Sequence, residues 1–583
     1  MSERSVRRLI GLLLAGVTAV AIAGCGISPS QPRHIGDGLV PGPGLGSDQI
    51  PPPGPLLGTP TQTVSRYFEA AVGGDDAAVQ NVQSFLTPNW RSKWVSGQQL
   101  TIVRNLRIDP EGARTGRSVT VTGRYQRVGV LTDQGVLDDV SEQPQFVPFT
   151  FTLVEGENPS QWSIDSGPQG LLLSDAALGL YYRNRPIYFW DSTGQRLVPD
   201  LRYLALTTPP ASRPNTIVDW LLNGPSRWLR SAVASLPAGA KLKEAIIKNS
   251  DNELVVNLSA ATAGAATAED LQRLTDQLQW SLRTDSFPAI ELRIEDQSKA
   301  VDGSADRYLK VAPASNAVAQ RFGVADGKLV PLPVGSQNSP AVLASTANRN
   351  VVSASVSRDP DRVAFVRRAG NGTLTLSIQR SGEGPLPKPV EVGLGRIDSM
   401  SRPAWIPGAT DRLVVAAEGR LYAVTAGGGP SEITPDGISG VTAVSVAPDG
   451  RRIAYVAQGR AYVAALGFGP TVTVDPQRRP LLPGQLEAAG IAWTSEDRVI
   501  VAGSANGRAA LWHVRADGAV AENLSPPDTA LIDPLIDVVA FPQSPVRPST
   551  NVEAMVQTAT VAYNLYGRSL SAEAGALRPC YAL

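Results

Sequence analysis

Two cysteines and two histidines in 583 residues remove most of the chemistry on which metalloproteins and nucleophilic enzymes rely. A zinc site needs three or four Cys, His or carboxylate ligands at close spacing. His34 and His513 each stand without a cysteine or acidic cluster at such spacing. No metal, no cofactor and no histidine-dependent triad is expected, and no catalytic residue stands out. Cys25 and Cys580 are the only thiols, too few for a disulfide framework, so buried area must supply the stability. Charge is scarce as well: Asp, Glu, Lys and Arg make up 18% of the chain, 53 basic against 53 acidic. Without a basic field, nucleic acid and acidic lipid surfaces are not expected partners. The one long apolar run, Leu9 to Ala23, has 15 residues, short of the roughly 20 that a spanning helix needs.

What is plentiful is Gly, at 55, and Pro, at 47, a composition that suits sheets and turns. The length predicts three or four domains. Arg4, Arg7 and Arg8 precede the apolar run and small residues follow it, the layout of a secretory signal peptide over residues 1–24. Residues 25–58 read as a tether: eight prolines, among them Pro51-Pro52-Pro53, are interleaved with glycines, and apolar content is too low for a core.

Order is predicted from Thr59. Thr59-Pro60-Thr61-Gln62 is a capping-box pattern with Pro at the first helical position. Val64, Tyr67, Phe68, Ala71 and Val72 then share one helical face, and a second helix is expected over Asp76 to Leu86. From Thr101 the period changes to two, as in Val119-Thr120-Val121-Thr122 and Phe149 to Leu153, with Asp133-Gln134-Gly135 as a turn. Helices followed by a curved antiparallel sheet predict an α+β module of the nuclear-transport-factor-2 (NTF2-like) kind over 59–178. No His or paired carboxylates aim into it, which favours a packed or protein-binding role.

The last part of the chain repeats. Asp361-Arg362, Asp411-Arg412, Gly450-Arg451-Arg452 and Asp497-Arg498 each end a turn that leads into an apolar strand. Arg362, Arg412, Arg452 and Arg498 are spaced by 50, 40 and 46 residues, near the period of propeller blades. Four units are clear, and Val538 to Ser569 together with Gly323 to Leu343 can supply one or two more. An all-β propeller over 323–583 is expected, with the recurrent Asp-Arg explained by turn formation and a surface ion pair in preference to a ring of ligand-binding residues.

Three resemblances extend this reading. Ile22-Ala23-Gly24-Cys25 resembles the bacterial lipobox. That resemblance implies cleavage between Gly24 and Cys25 and acyl chains on the Cys25 sulfur, which anchor the protein on the outer face of a cell membrane. Ile187-Tyr188-Phe189-Trp190-Asp191, Leu197-Val198-Pro199, Arg202, Leu221-Leu222-Asn223-Gly224-Pro225 and Leu236-Pro237-Ala238-Gly239 look like the spore-germination GerMN domain, an α+β domain placed at 180–310. Its expected continuation is a strand from Glu253 to Leu258, a helix capped by Thr267 and Asp270, a strand from Ala289 to Ile294 and a turn at Val301-Asp302-Gly303.

The order of all these modules resembles the actinobacterial LpqB lipoproteins over essentially the whole chain. That family implies a non-catalytic regulator or scaffold that works with the extracellular domain of a two-component sensor histidine kinase in envelope growth and division, with no small-molecule substrate identified. A carrier of envelope lipids or polymers, which would need an apolar cleft in the N-terminal module, is the alternative. An envelope hydrolase, which would need a nucleophile or carboxylate pair at the propeller channel, ranks third. The role of Cys580 and the number of blades stay open.

Overall fold

The computed structural model describes residues 54–583 apart from 98, 263–265, 285, 302–318, 336–341, 359–361, 381–389, 410, 426–427, 527–532 and 547–551. The signal peptide, the lipobox with Cys25 and all but the last residues of the tether lie outside the described residues. So do His34, Asp302-Gly303, and the turn Asp359 to Asp361.

The first described helix, Pro60–Ala70, begins where its cap predicts. The Thr59 side chain accepts from the Gln62 backbone N–H, and the Gln62 side chain accepts from that of Thr59. Val64, Tyr67 and Phe68 are fully buried against a twisted sheet. The second helix, Asp75–Gln83, ends three residues earlier than the periodicity predicts, because Ser84 to Leu86 turn toward the strand Trp162–Ser166. The sheet is antiparallel except for Leu100–Ile108, which pairs in parallel with Leu171–Ser174. Its long strands, Ser118–Leu131 and Gln145–Glu155, alternate buried and exposed residues over much of their length. That period of two puts Val119, Val121, Phe149, Phe151 and Leu153 on the face the helices cover.

The second module opens with the hairpin Ile187–Trp190 and Leu197–Asp200. The strands Leu254–Leu258 and Ile290–Ile294 are parallel, which requires a crossover, and the helix Ala268–Leu282 provides it. Thr267 and Asp270 form the expected capping box. Two turn glycines do what the motif requires: Gly224 and Gly239 sit at φ 89° and 84°, where a side chain would be strained.

Six sheets then follow one another. Blades 2 to 6, at 351–397, 404–432, 441–481, 487–523 and 537–573, are four-stranded meanders in chain order. Blade 1 is composite. Its outer strands, Arg321–Ala325 and Lys328–Pro331, come from the start of the propeller, and its third, Leu577–Tyr581, comes from the end of the chain. That last strand lies between the first strands of blades 2 and 6 and so closes the ring. Closure removes the free edge that an open array would expose. Apolar clusters fill successive blade-to-blade gaps, for example Tyr455 with Leu421 between blades 3 and 4, and Leu511 with Val556 between blades 5 and 6.

Arg402, just before blade 3, pairs with Asp537, the first strand residue of blade 6. Those blades are three apart in a ring of six, so the ion pair crosses the central axis. Both side chains are largely buried, so each loses this counter-charge if the other is removed. Arg402→Ala and Asp537→Ala are each expected to lower the unfolding free energy by about 1–3 kcal/mol. The double variant should fall short of their sum by at least about 0.5 kcal/mol in a chemical-denaturation cycle; additive losses would show that the pair does not brace the ring.

Candidate functional site

The two described side chains with the most reactive chemistry are enclosed. Cys580 sits in the strand that closes the ring, opposite Phe322 and packed between blades 1 and 2. Burial pushes its thiol up to about 12, and the Asp537 carboxylate adds to this against the pull of Arg402. A thiol held that high is not a nucleophile at neutral pH. His513 lies on the third strand of blade 5. Burial first, and the Arg498 guanidinium second, lower it to about 3. Its Nε2 is 2.7 Å from the Thr494 hydroxyl, a bond inside the blade. Among the described residues there is no group of three His, Cys, Asp or Glu placed to hold a metal ion.

The charged groups that matter structurally lie at a seam. Asp191 ends the aromatic strand of the second module and is fully buried. Its Oδ1 accepts from the backbone N–H groups of Gln195 and Arg196 at 2.7 and 3.1 Å, and its Oδ2 from the Thr193 hydroxyl at 2.7 Å. Arg451 of blade 4, 1% exposed at its side chain, donates to the same Oδ2 from Nε at 2.7 Å, and its Nη2 lies 2.6 Å from that oxygen in the ion pair. Its guanidinium lies 4.0 Å from the Phe468 ring centroid. Burial opposes the Asp191 charge. The hydroxyl, the guanidinium and two backbone donors outweigh it, and the carboxyl is held below its ordinary value.

Other ties run alongside. The Tyr188 hydroxyl donates to Glu496 of blade 5 at 2.7 Å, and Arg283 reaches the same carboxylate at 2.9 Å while its guanidinium lies 4.4 Å from the Trp280 ring centroid. Asn184 donates to Asp497 at 2.7 Å. Arg104 of the N-terminal module donates to the carbonyls of Gly518 and Ala519 at 2.8 and 2.9 Å. The Tyr203 hydroxyl meets Asp517, whose carboxyl is raised by burial. Arg202, an arginine of the GerMN-like motif, is 2% exposed and binds Asp200, the Gly224 carbonyl and the Gln134 carbonyl of the N-terminal module. One apolar core runs through the second module and blades 4 and 5, joining Leu221 and Leu278 to Val463 and Val501.

The surface ion pair expected of the repeated Asp-Arg turns is therefore corrected. Asp449 and Arg452 are fully buried and pair at 2.6 Å, and Arg452 also donates to the Glu496 carbonyl in the next blade. Arg412 donates across to Gly469 of blade 4 at 2.7 Å. The turns at Arg412, at Asp449 to Arg452 and at Asp497 hold blades and modules together. Sequence reasoning missed Asp191, Arg451 and Arg104. The available signal was an acidic residue ending an aromatic run and a double arginine after Asp449-Gly450.

Two of the clefts among the described residues lie beside these groups. One, of about 540 Å³, lies in the second module between Trp190 and the flank of the helix Ala268–Leu282. The other, of about 310 Å³, lies where Asp138, Trp228 and Arg479 bring three modules together.

Comparison with known proteins follows the same division. Residues 54–179 match the model of the LpqB lipoprotein N-terminal domain, 186–299 match Germane, described as sporulation and spore germination, and 327–543 match the LpqB lipoprotein β-propeller domain. The chain belongs to the LpqB lipoprotein family. Lipoprotein LpqB of Corynebacterium jeikeium is 25% identical over 497 residues, covering 81% of each chain. That of Mycobacterium tuberculosis is 25% identical over 595 residues, covering 95% of this chain and 96% of the relative. Among solved structures, TolB from Acinetobacter baumannii is 12% identical, with a TM-score of 0.31 over 49% of this chain and 75% of that one. The propeller assignment rests on the six sheets and their closure. LpqB proteins are lipoproteins, so the family is one of membrane-anchored envelope proteins.

Removing one partner of a buried pair leaves the other charge unmet, so Arg451→Ala in this LpqB-family fold is expected to cost about 3–5 kcal/mol. Thermal denaturation checks it; a loss below about 1 kcal/mol would place the pair among weak surface bridges. His513 gives a pH test. Its folded value lies below its unfolded one, so its contribution is fully present above about pH 6.5 and fades as pH falls toward 3. Across that window the protein should lose about 1.4 kcal/mol more per pH unit than His513→Gln. Parallel profiles would contradict a buried neutral imidazole.

Proposed function

We propose that the protein is a lipid-anchored, extracytoplasmic, non-catalytic regulator. Acyl chains on Cys25 hold it to a membrane, and it binds the extracellular part of a two-component sensor histidine kinase in envelope growth and division control. The observation that carries this reading is the buried seam: three modules tied by Asp191–Arg451, Arg283–Glu496 and Arg104 present one fixed surface rather than beads on a string. A fixed surface suits recognition of a folded partner, because little ordering cost remains to be met on binding. The enclosure of Cys580 and His513 supports a role by contact, since neither can reach a substrate.

The carrier reading loses its main support. The face of the N-terminal sheet that the helices cover is packed with aromatic rings, with Phe68, Phe149 and Phe151 centroids 5.3 to 6.1 Å apart. An acyl anchor would raise the effective concentration of the protein for a membrane-borne partner without any new contact. More than one acyl chain makes that anchoring stable.

Mass spectrometry of the native N-terminus should find a chain that begins at acylated Cys25, and Cys25→Ala should release the protein from the membrane fraction. An unmodified Cys25 thiol on a chain that keeps residues 1–24 would contradict the anchor. The kinase's extracellular domain should bind the protein with Kd in the micromolar range or tighter, about −8 kcal/mol. Absence of binding at that concentration would remove the partner.

A further inference from the structure

The cleft of about 310 Å³ is walled by all three modules, and part of its charge is already matched. Arg478 of blade 4 pairs with Glu142 of the first module at 2.7 Å, and Asp139 pairs with Arg127. Two facing groups are left over. Arg479, on the fourth strand of blade 4, is 5% exposed, yet its guanidinium makes no hydrogen bond among the described residues. Asp138 of the first module stands opposite, with Oδ1 3.7 Å from Nη2. That is beyond hydrogen-bond length, and the half-exposed Asp138 carboxylate makes no other hydrogen bond among the described residues.

Arg479 lines the cleft, and of its three side-chain nitrogens only Nε is wholly enclosed, so Nη2 borders the cleft across from Asp138. Burial pulls its pKa down, opposed by the Asp138, Asp517 and Asp200 carboxylates, none of which is hydrogen-bonded to it. A guanidinium has five N–H donors, and buried polar groups are nearly always bonded, so unused donors in front of an unused carboxylate call for an explanation. The gap is too wide for a direct bond and fits one oxygen placed about 2.8 Å from each side. An anion would satisfy Arg479 but face Asp138, Asp139 and Glu142, and a cation would face Arg227, Arg478 and Arg479. A hydroxyl accepts from a guanidinium and donates to a carboxylate at once, without adding charge to a balanced lining. Val140, Pro476 and Trp228, whose ring centroid is 5.9 Å from the Arg479 guanidinium, give the C–H face of a ring an apolar wall. The volume is at the lower end of small-ligand sites and takes a single sugar ring.

We propose that the cleft at the junction of the three modules binds a neutral saccharide unit, whose hydroxyls bridge Arg479 and Asp138. So held, the ligand joins blade 4 to the first module beside the existing Arg478–Glu142 tie, at a point where the protein's own groups do not meet. The proposal goes beyond the regulator reading and needs neither the acyl anchor nor the kinase.

Saturation-transfer NMR on the full-length protein in a sugar-free detergent tests it, with methyl glucopyranoside, methyl galactopyranoside and methyl mannopyranoside as separate probes at about 5 mM, where even a millimolar ligand is seen. The probes differ in hydroxyl configuration, and transfer to the ring protons of at least one is expected. Arg479→Met, which keeps the stem and removes the donors, should abolish transfer. Asp138→Ala, at a half-exposed position, should weaken binding at least tenfold. Should Arg479→Met fail to fold, Asp138→Ala decides together with Gln477→Trp, which fills the exposed mouth and should abolish binding. Excess acetate at constant ionic strength should leave transfer unchanged. Silence from all three probes, binding that persists unchanged in any folded variant, or displacement of the sugar by acetate overturns the proposal.

Discussion

The architecture depends on a buried ion pair between modules, Asp191 with Arg451. Each charge carries a desolvation cost of several kcal/mol, repaid only where geometry and further hydrogen bonds are both favourable. Here five groups contact the carboxylate, Arg451 Nε and Nη2, the Thr193 hydroxyl and the Gln195 and Arg196 backbone N–H groups, and the guanidinium is stacked on Phe468. Neither residue could be buried alone, so each module specifies the placement of the other. In a chain with only 18% charged residues, a notable share of the charge is turned inward at this seam.

The seam also explains why the propeller is asymmetric in its surroundings. Blades 4 and 5 share a continuous apolar core with the second module, and the turn at Asp517 to Ala519 receives Arg104 and Tyr203 from the N-terminal side. The other blades are packed chiefly on their neighbours, with the ring held shut by the C-terminal strand and by a charge pair across its axis. The described residues accordingly fall in one compact unit.

Local features of this arrangement were legible in the sequence. The capping box at Thr59 and the blade period follow from spacing and turn chemistry that act over a few residues, and the GerMN resemblance located the strands and the capped helix of the second module, though not the parallel pairing of those strands. Blade 1 was only half visible, because its strands lie at 321–331 and 577–581 and no local pattern joins them. The Asp-Arg turns were read as surface pairs for the same reason. On the chain a polar turn looks solvated, and only contact with a segment 260 residues away, as for Arg451 and Asp191, shows that it is enclosed.

The central claim is that the second module and blades 4 and 5 are one mechanical body. Native-state hydrogen exchange read by mass spectrometry tests it most directly, because segments that open together share one free energy of opening. Peptides spanning 187–200 and 441–466 are expected to lose protection at the same denaturant concentration. Exchange of the first well before the second would mean that the module opens independently of the propeller, and the account would be wrong.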